Sequence, residues 1–334
     1  MSHAITLIKG DGIGPEVIDA TVRVIQALGV GIDWDVQLLG QEAFQLVSDP
    51  IPKATLDSIK ANGIALKGPT TTPIGSGYQS ANVALRKALD LYGCIRPIRS
   101  IPGIETRFRD VDLVIIRENT EGLYSGQEIE IHRGCIISLR TMTDNGCDRI
   151  GRLAFEYAKN NGRKEICLGH KANILKLGDG LLLSCIRRVR EEYPGMGYQE
   201  AIVDALAMRL VMDPLAFDVL VMENMFGDII SDLCAGLIGG LGLVPGANIG
   251  ESASVFEAVH GTAPDIAGQN LANPTAMLQS AVMMLRHIGE SEAASRMEEA
   301  LFEVLLDKPL RTKDLGGDAT TREFADHIVK RVAL

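Results

Sequence analysis

No stretch of this sequence is apolar for long enough to cross a bilayer. The most apolar late run, Leu233–Val244, is crowded with glycines and falls short of the roughly 20 residues a spanning helix needs. The opening residues Met-Ser-His-Ala-Ile-Thr-Leu-Ile-Lys-Gly lack a basic stretch followed by an apolar core, so no signal peptide is expected. Basic charge is not in excess either. The formal net charge is −10, which disfavours a non-specific nucleic-acid surface but leaves room for a local basic pocket. No two of the six cysteines (Cys94, Cys135, Cys147, Cys167, Cys185 and Cys234) form a C-x-x-C pair, which argues against a zinc knuckle or a thioredoxin-type motif. Dispersed in this way they suit a reducing cytosol and read as small core hydrophobes, so a cytoplasmic location is expected. Fixed-period repeats and long polar linkers are also absent. The expected partner is a small-molecule substrate, with no nucleic acid and no membrane.

What is present is the pattern of a soluble α/β protein. Hydrophobic residues make up 46% and charged residues 23%, and 334 residues suffice for two domains or one large one. Short apolar runs alternate with amphipathic segments. Strands are expected at Ala4–Lys9, Gly63–Leu66, Leu113–Arg117, Glu165–Gly169, Ala201–Val203 and Asp218–Val221. Helices are expected at Pro15–Leu28, Ser80–Leu89, Thr143–Asn160, Leu177–Glu192 and Asn224–Ile238, and over most of Asn273–Leu306 and Thr320–Val329.

Gly10-Asp-Gly12-Ile-Gly14-Pro15 lies between a strand and a helix and invites a dinucleotide-fingerprint reading. The third glycine of G-x-G-x-x-G would fall on residue 15, which is proline, so the motif fails there. A tight glycine turn leading into a helix is the better reading.

Three groups of residues carry chemistry. Asn82 and Arg86, four apart, share a helical face, with Ser80 at the helix start. Arg96 and Arg117 sit at the ends of other elements. Guanidinium groups pair bidentately with carboxylates, so these arginines suit a polycarboxylate substrate, although surface ion pairs would use the same residues. Asp228 and Asp232 lie four apart on one helical face. A hard divalent cation prefers such oxygens and would relieve their repulsion, and Asp204 could add a third ligand; a solvated acidic face is the alternative. Lys171 and Tyr124 could act as acid and base near such a cation. The loop Val259–Gly268 combines small residues, Pro264 and a helix start, so backbone can approach a ligand closely.

Together these segments resemble the β-hydroxyacid oxidative decarboxylases, the isocitrate and 3-isopropylmalate dehydrogenase family. The resemblance rests on Gly10-Asp-Gly-Ile-Gly-Pro-Glu16, Leu89-Asp-Leu-Tyr-Gly-Cys-Ile-Arg96-Pro, Arg117-Glu-Asn-Thr-Glu-Gly122, Lys171-Ala-Asn173, Asn224-Met-Phe-Gly-Asp228, His260-Gly-Thr-Ala-Pro264 and Asp314-Leu-Gly-Gly317. It implies two α/β domains with a cleft between them, distinct from the Rossmann fold. Residues 1–95 plus 250–334 would form the large cofactor-binding domain, and 96–249 a small domain with the dimer interface and metal ligands. It implies a homodimer with shared active sites. Ser80, Asn82, Arg86, Arg96 and Arg117 would bind substrate. Asp228 and Asp232 would hold magnesium or manganese with Asp204 of the second subunit. Lys171, also from that subunit, would help deprotonate the hydroxyl, and Tyr124 would protonate the enolate. Thr72, His260, Gly261, Thr262, Ala263, Asp265, Ile266 and Asn273 would bind the cofactor, with Asp265 favouring NAD over NADP. The Ser80–Asn82 pair resembles isocitrate-specific members. The alternatives are homoisocitrate or 3-isopropylmalate as substrate, and a non-catalytic regulatory subunit, which would be expected to lose some metal or base residues.

Overall fold

The computed structural model describes residues 2–73 and 79–333. Along the chain run β1 (His3–Ile8), α1 (Gly14–Ala27), β2 (Ile32–Gln37), α2 (Gln41–Val47), α3 (Lys53–Asn62), β3 (Ile64–Lys67), α4 (Ala81–Ala88), β4 (Gly93–Arg99) and β5 (Asp112–Glu118). Then come β6 (Gly122–His132), β7 (Cys135–Thr141), α5 (Asp144–Asn160), β8 (Glu165–His170), α6 (Gly178–Arg190), β9 (Gly197–Ile202), α7 (Val203–Met212), β10 (Val219–Met222) and α8 (Asn224–Leu237). The chain ends with β11 (Pro245–Ile249), β12 (Ser254–Ala258), α9 (Thr275–His287), α10 (Ser291–Leu306) and α11 (Thr321–Val332).

Ten strands form one sheet in the order β2-β1-β3-β12-β11-β4-β5-β10-β8-β9, while β6 and β7 pair apart as a hairpin. The wings β2-β1-β3-β12 and β5-β10-β8-β9 are parallel, and antiparallel pairs through β11 and β4 join them. The limits expected at 95/96 and 249/250 fall within β4 and at the end of β11, where the sheet is continuous.

Parallel strands buried on both faces read as continuous apolar runs, and the core divides accordingly. On β5, Leu113 and Ile115 join one apolar cluster while Val114 and Ile116 join another on the opposite face. Helices fit their faces for local reasons. In α5, Cys147, Ile150, Ala154, Phe155 and Ala158 form one buried stripe, and the Thr143 hydroxyl caps its start. In α11 a capping box joins Thr320 and Glu323.

Two expectations need correction. Of the strand read at Ala201–Val203 only Ala201 and Ile202 close β9; Val203 opens α7, and Asp204 lies in the first turn of that helix rather than at a strand end. Five cysteines are buried, but Cys135 is only half-buried, on the exposed hairpin; all six are free thiols. No helix among the described residues is long and apolar enough to cross a membrane.

Candidate active site

The Glu223 carboxylate caps α8 by accepting the backbone N–H groups of Met225 and Phe226 at 3.2 and 2.8 Å. The helix then presents Asp228 and Asp232 one turn apart. Arg117, at the end of β5 and 1% exposed, donates to the Asp228 carboxylate and to Asn224 Oδ1 at 3.1 and 2.7 Å. This approach needs glycine at 227, where a Cβ would stand 2.6 Å from Arg117 Cγ. Arg96, expected at the end of an element, instead lies in the middle of β4, 3.5 Å from Asp228 and 3.6 Å from Asp232. The Tyr124 hydroxyl, on β6, donates to the second Asp228 oxygen, and the Arg117 guanidinium lies 5.0 Å from its ring centre.

The electrostatics divide the two aspartates. Burial pushes the Asp228 carboxyl up, but Arg117, the Tyr124 hydroxyl, Arg96 and Arg86 outweigh it and hold the group below the ordinary range. For Asp232 burial prevails, aided by the Asp228 charge against Arg96, and its carboxyl rises. Burial, then Asp228, pushes the Tyr124 phenol up, which keeps its proton in place. Burial also lowers the Arg117 guanidinium, with Arg96 and Arg86 adding like charge.

A second layer was not expected from the sequence. Lys67, at the end of β3 and 1% exposed, pairs with Glu257 of β12 at 2.5 Å, and the other Glu257 oxygen holds Arg86 at 3.0 Å. Asn248 Nδ2 donates to that same oxygen at 2.7 Å. Burial pushes the Glu257 carboxyl up, yet Lys67 and Arg86 outweigh it and hold it far below the usual glutamate range. Arg86, Arg96 and Asn82 line one cavity of about 130 Å³ with Thr70, Cys94 and His260. Asn82 Oδ1 accepts the Thr70 hydroxyl at 2.8 Å, and Ser80 caps α4 while taking the Thr72 hydroxyl at 3.1 Å. The sequence signals for this layer are a glutamate inside the buried strand at 254–258 and a lysine ending the apolar run at 64–67. Breaking a buried ion pair from one side is strongly destabilising, so Glu257→Gln is expected to lower the urea unfolding free energy by about 3 kcal/mol. The wild-type advantage is present above the usual glutamate range and shrinks as pH falls below it, as for any carboxylate whose folded-state pKa is depressed. An unchanged urea midpoint at neutral pH would contradict the role given to this pair.

Lys171 and Asp204 come together elsewhere. The Lys171 ammonium lies 2.5 Å from Asp204 Oδ1, and the hydrogen bond it donates, helped by its charge, holds the aspartate low. Among the described residues no ion pair or hydrogen bond joins these two to Asp228, Asp232, Arg96 or Arg117, and no three acidic, histidine or cysteine side chains gather as a cation site. One chain thus brings together two of the three expected metal ligands. Their hard carboxylate oxygens, one helical turn apart, suit magnesium or manganese.

The cofactor-loop residues surround the glycine turn. Gly10 and Gly12 take left-handed φ values of +75° and +59°, and a Cβ at Gly12 would meet the Thr262 carbonyl oxygen at 2.1 Å. The Ile13 N–H donates to that carbonyl at 2.9 Å. The turn therefore serves as a packing junction between β1, α1 and the 259–268 loop. Pro264–Ile266 forms a single 3-10 turn rather than the expected start of a longer helix. Ala263, just before it, is left-handed at φ +39°; Asp265 and Gly261 are exposed, and Ile266 is half-buried. Asn273 accepts from Thr275 N–H at 2.9 Å and donates to Asp314 at 3.0 Å, which fixes the entry to α9. Burial lowers the His260 imidazole, and its Nε2 is buried beside the cavity with no hydrogen-bond partner among the described residues.

Comparison with known proteins agrees with this arrangement. Residues 4–328 match the model of the isocitrate/isopropylmalate dehydrogenase family. The chain is 50% identical over 324 residues to the mitochondrial NAD isocitrate dehydrogenase catalytic subunit 5 of Arabidopsis thaliana, covering 97% of this chain and 87% of that protein. It is 48% identical over 329 residues to a mitochondrial NAD isocitrate dehydrogenase regulatory subunit from Dictyostelium discoideum, covering 98% and 91%. The crystal structure of isocitrate dehydrogenase from Methylococcus capsulatus superposes with a TM-score of 0.97 at 53% identity, covering 99% of this chain and 100% of that one. The motifs, the sheet and these matches agree: the chain belongs to the isocitrate/isopropylmalate dehydrogenase family.

Proposed function

We propose that this chain is a catalytic subunit that oxidises and decarboxylates isocitrate to 2-oxoglutarate with reduction of NAD. The observation that carries the reading is the meeting of Arg96, Arg117 and Tyr124 on Asp228, with Arg86 lining the adjoining cavity. Three guanidinium groups at one place suit a tricarboxylate. Ser80 and Asn82 then offer polar atoms to its γ-carboxylate, where an isopropyl group would find no apolar surface. Bound by Asp228, Asp232 and Asp204 of a second copy, magnesium or manganese would polarise the C2 oxygen. Lys171 of the second copy, in its neutral amine form, would take the C2 hydroxyl proton, and NAD bound at the 259–268 loop would supply the acceptor for the C2 hydride. The C3 carboxylate departs as carbon dioxide, and the Tyr124 phenol returns a proton to C3. The division at 1–95 plus 250–334 and 96–249 is part of the same proposal.

The NAD assignment draws support from the relatives' names, from His260 Nε2, which has no partner among the described residues, and from exposed Asp265, which can accept hydrogen bonds from ribose hydroxyls and would repel a 2′-phosphate. Assembly of two copies draws support from the incomplete carboxylate set within one chain. It also fits the large apolar side chains left exposed on the hairpin, Ile129, Ile131 and Ile136, and on α7 and α8, Met208, Met212 and Ile229. Relatives include a regulatory subunit, but this chain keeps Lys171, Tyr124, Asp204, Asp228 and Asp232. The purified chain, alone and with magnesium, is expected to turn over isocitrate with higher kcat/KM than homoisocitrate or 3-isopropylmalate. NAD should be preferred over NADP at least about tenfold, or ~1.4 kcal/mol. Preference for another acid, equal use of NADP, or activity only with an added partner chain would each defeat the corresponding part.

A further inference from the structure

Asp179 has no part in the roles above, yet it is fully buried in the first turn of α6. One of its oxygens accepts the backbone N–H of Lys171 at 2.5 Å, and the other accepts Arg140 of β7. A buried carboxylate is tolerated only when paired and hydrogen-bonded, and here both oxygens are committed to holding two separate segments. Gly178 leaves the space: a Cβ there would sit 3.4 Å from the Arg140 nitrogen and 3.2 Å from Met142 Sδ. The Lys171 carbonyl is held as well, by the N–H groups of Ile174 and Leu175 at 2.9 Å each. Its backbone is therefore fixed on both sides while its side chain reaches Asp204. Arg140 extends further, with its second terminal nitrogen 3.4 Å from Glu223, the cap of the helix that carries Asp228 and Asp232.

We propose that Asp179, locked by Arg140, is a positioning residue that sets where the Lys171 side chain is delivered. The proposal rests on the reading of Lys171 as the acid–base group given to a second copy's site. Asp179→Asn keeps the size but removes the charge that holds Arg140. We expect kcat to fall about 30-fold, within the ~10²-fold that a misplacement of 1 Å costs. KM for isocitrate should stay within about threefold, because Arg86, Arg96 and Arg117 stand on other elements. Arg140→Lys, which keeps the charge without the fork, should lose less than Arg140→Ala and stands in should Asp179→Asn fail to fold.

Mixed dimers give a readout that a general folding defect does not. Asp179→Asn paired with Asp228→Asn should recover activity, because the intact Lys171 segment of the second serves the intact α8 of the first. Paired with Lys171→Ala it should recover nothing beyond the parents. Lys171→Ala with Asp228→Asn is the control for shared sites. Failure of the control alone strikes the two-copy reading, and the positioning role is then decided by the split between kcat and KM. Wild-type kcat in Asp179→Asn, a KM rise as large as the kcat fall, or recovery with Lys171→Ala overturns the proposal.

Discussion

Asp228→Asn is expected to lower kcat by about 1,000-fold, equivalent to the ~4 kcal/mol that a polarising cation contributes to a developing oxyanion. Mn2+ affinity, read by electron paramagnetic resonance without substrate, should fall by more than the ~10–100-fold typical of losing an outer-shell partner. The argument starts from charge. Asp228 is the point on which Arg117, Arg96 and Tyr124 converge, and it is held ionised against the cost of burial. Asparagine keeps the shape and one acceptor for Arg117 but removes the anionic oxygen a dication needs. It also leaves the buried guanidiniums of Arg117 and Arg96 near one another without their shared counter-charge. Some loss of stability is therefore expected in the metal-free protein, and the urea midpoint separates it from the loss of metal. A variant that binds Mn2+ like wild type shows that the carboxylate is not a ligand. Wild-type kcat at limiting magnesium leads to the same conclusion.

The sequence made the outline of this site readable because its parts lie on strongly patterned elements. α8 has an apolar stripe and a clear start, so the spacing of Asp228 and Asp232 converts directly into a shared face. β5 is a continuous buried apolar run, so Arg117 at its end stands out. Other elements carry weak patterns for physical reasons. The hairpin β6–β7 exposes most of its residues, which removes the burial that produces strand alternation. β11 opens on proline and glycine, and β12 contains Glu257, so neither reads as a central strand although both are buried in the middle of the sheet. β9 is an edge strand and only its final residues are apolar enough to notice. The missed charges share one cause. Lys67, Glu257, Arg140 and Asp179 are paired with residues distant in sequence, so their burial follows from the fold and from no local period.

Mixing inactive Lys171→Ala subunits with inactive Asp228→Asn subunits is expected to restore about a quarter of wild-type activity. Random exchange makes half of the dimers mixed, and one of the two sites in each mixed dimer receives both intact halves. The geometry behind this is a separation. Arg96, Arg117, Tyr124, Asp228 and Asp232 form one connected group, whereas Lys171 bonds Asp204 and its backbone is held by Asp179. Within one chain the second group makes no hydrogen bond or ion pair with the first among the described residues. If each site lay within one chain, the Lys171 side chain would have to leave Asp204, its partner in this structure, and turn toward its own α8. Subunit exchange is verified by native mass spectrometry on subunits of distinguishable mass, and activity is followed as the mixed species appears. Recovery that tracks the mixed dimer supports shared sites. Mixed dimers that form fully and stay inactive would place each site within a single chain and remove Lys171 and Asp204 from the roles proposed for them across the interface.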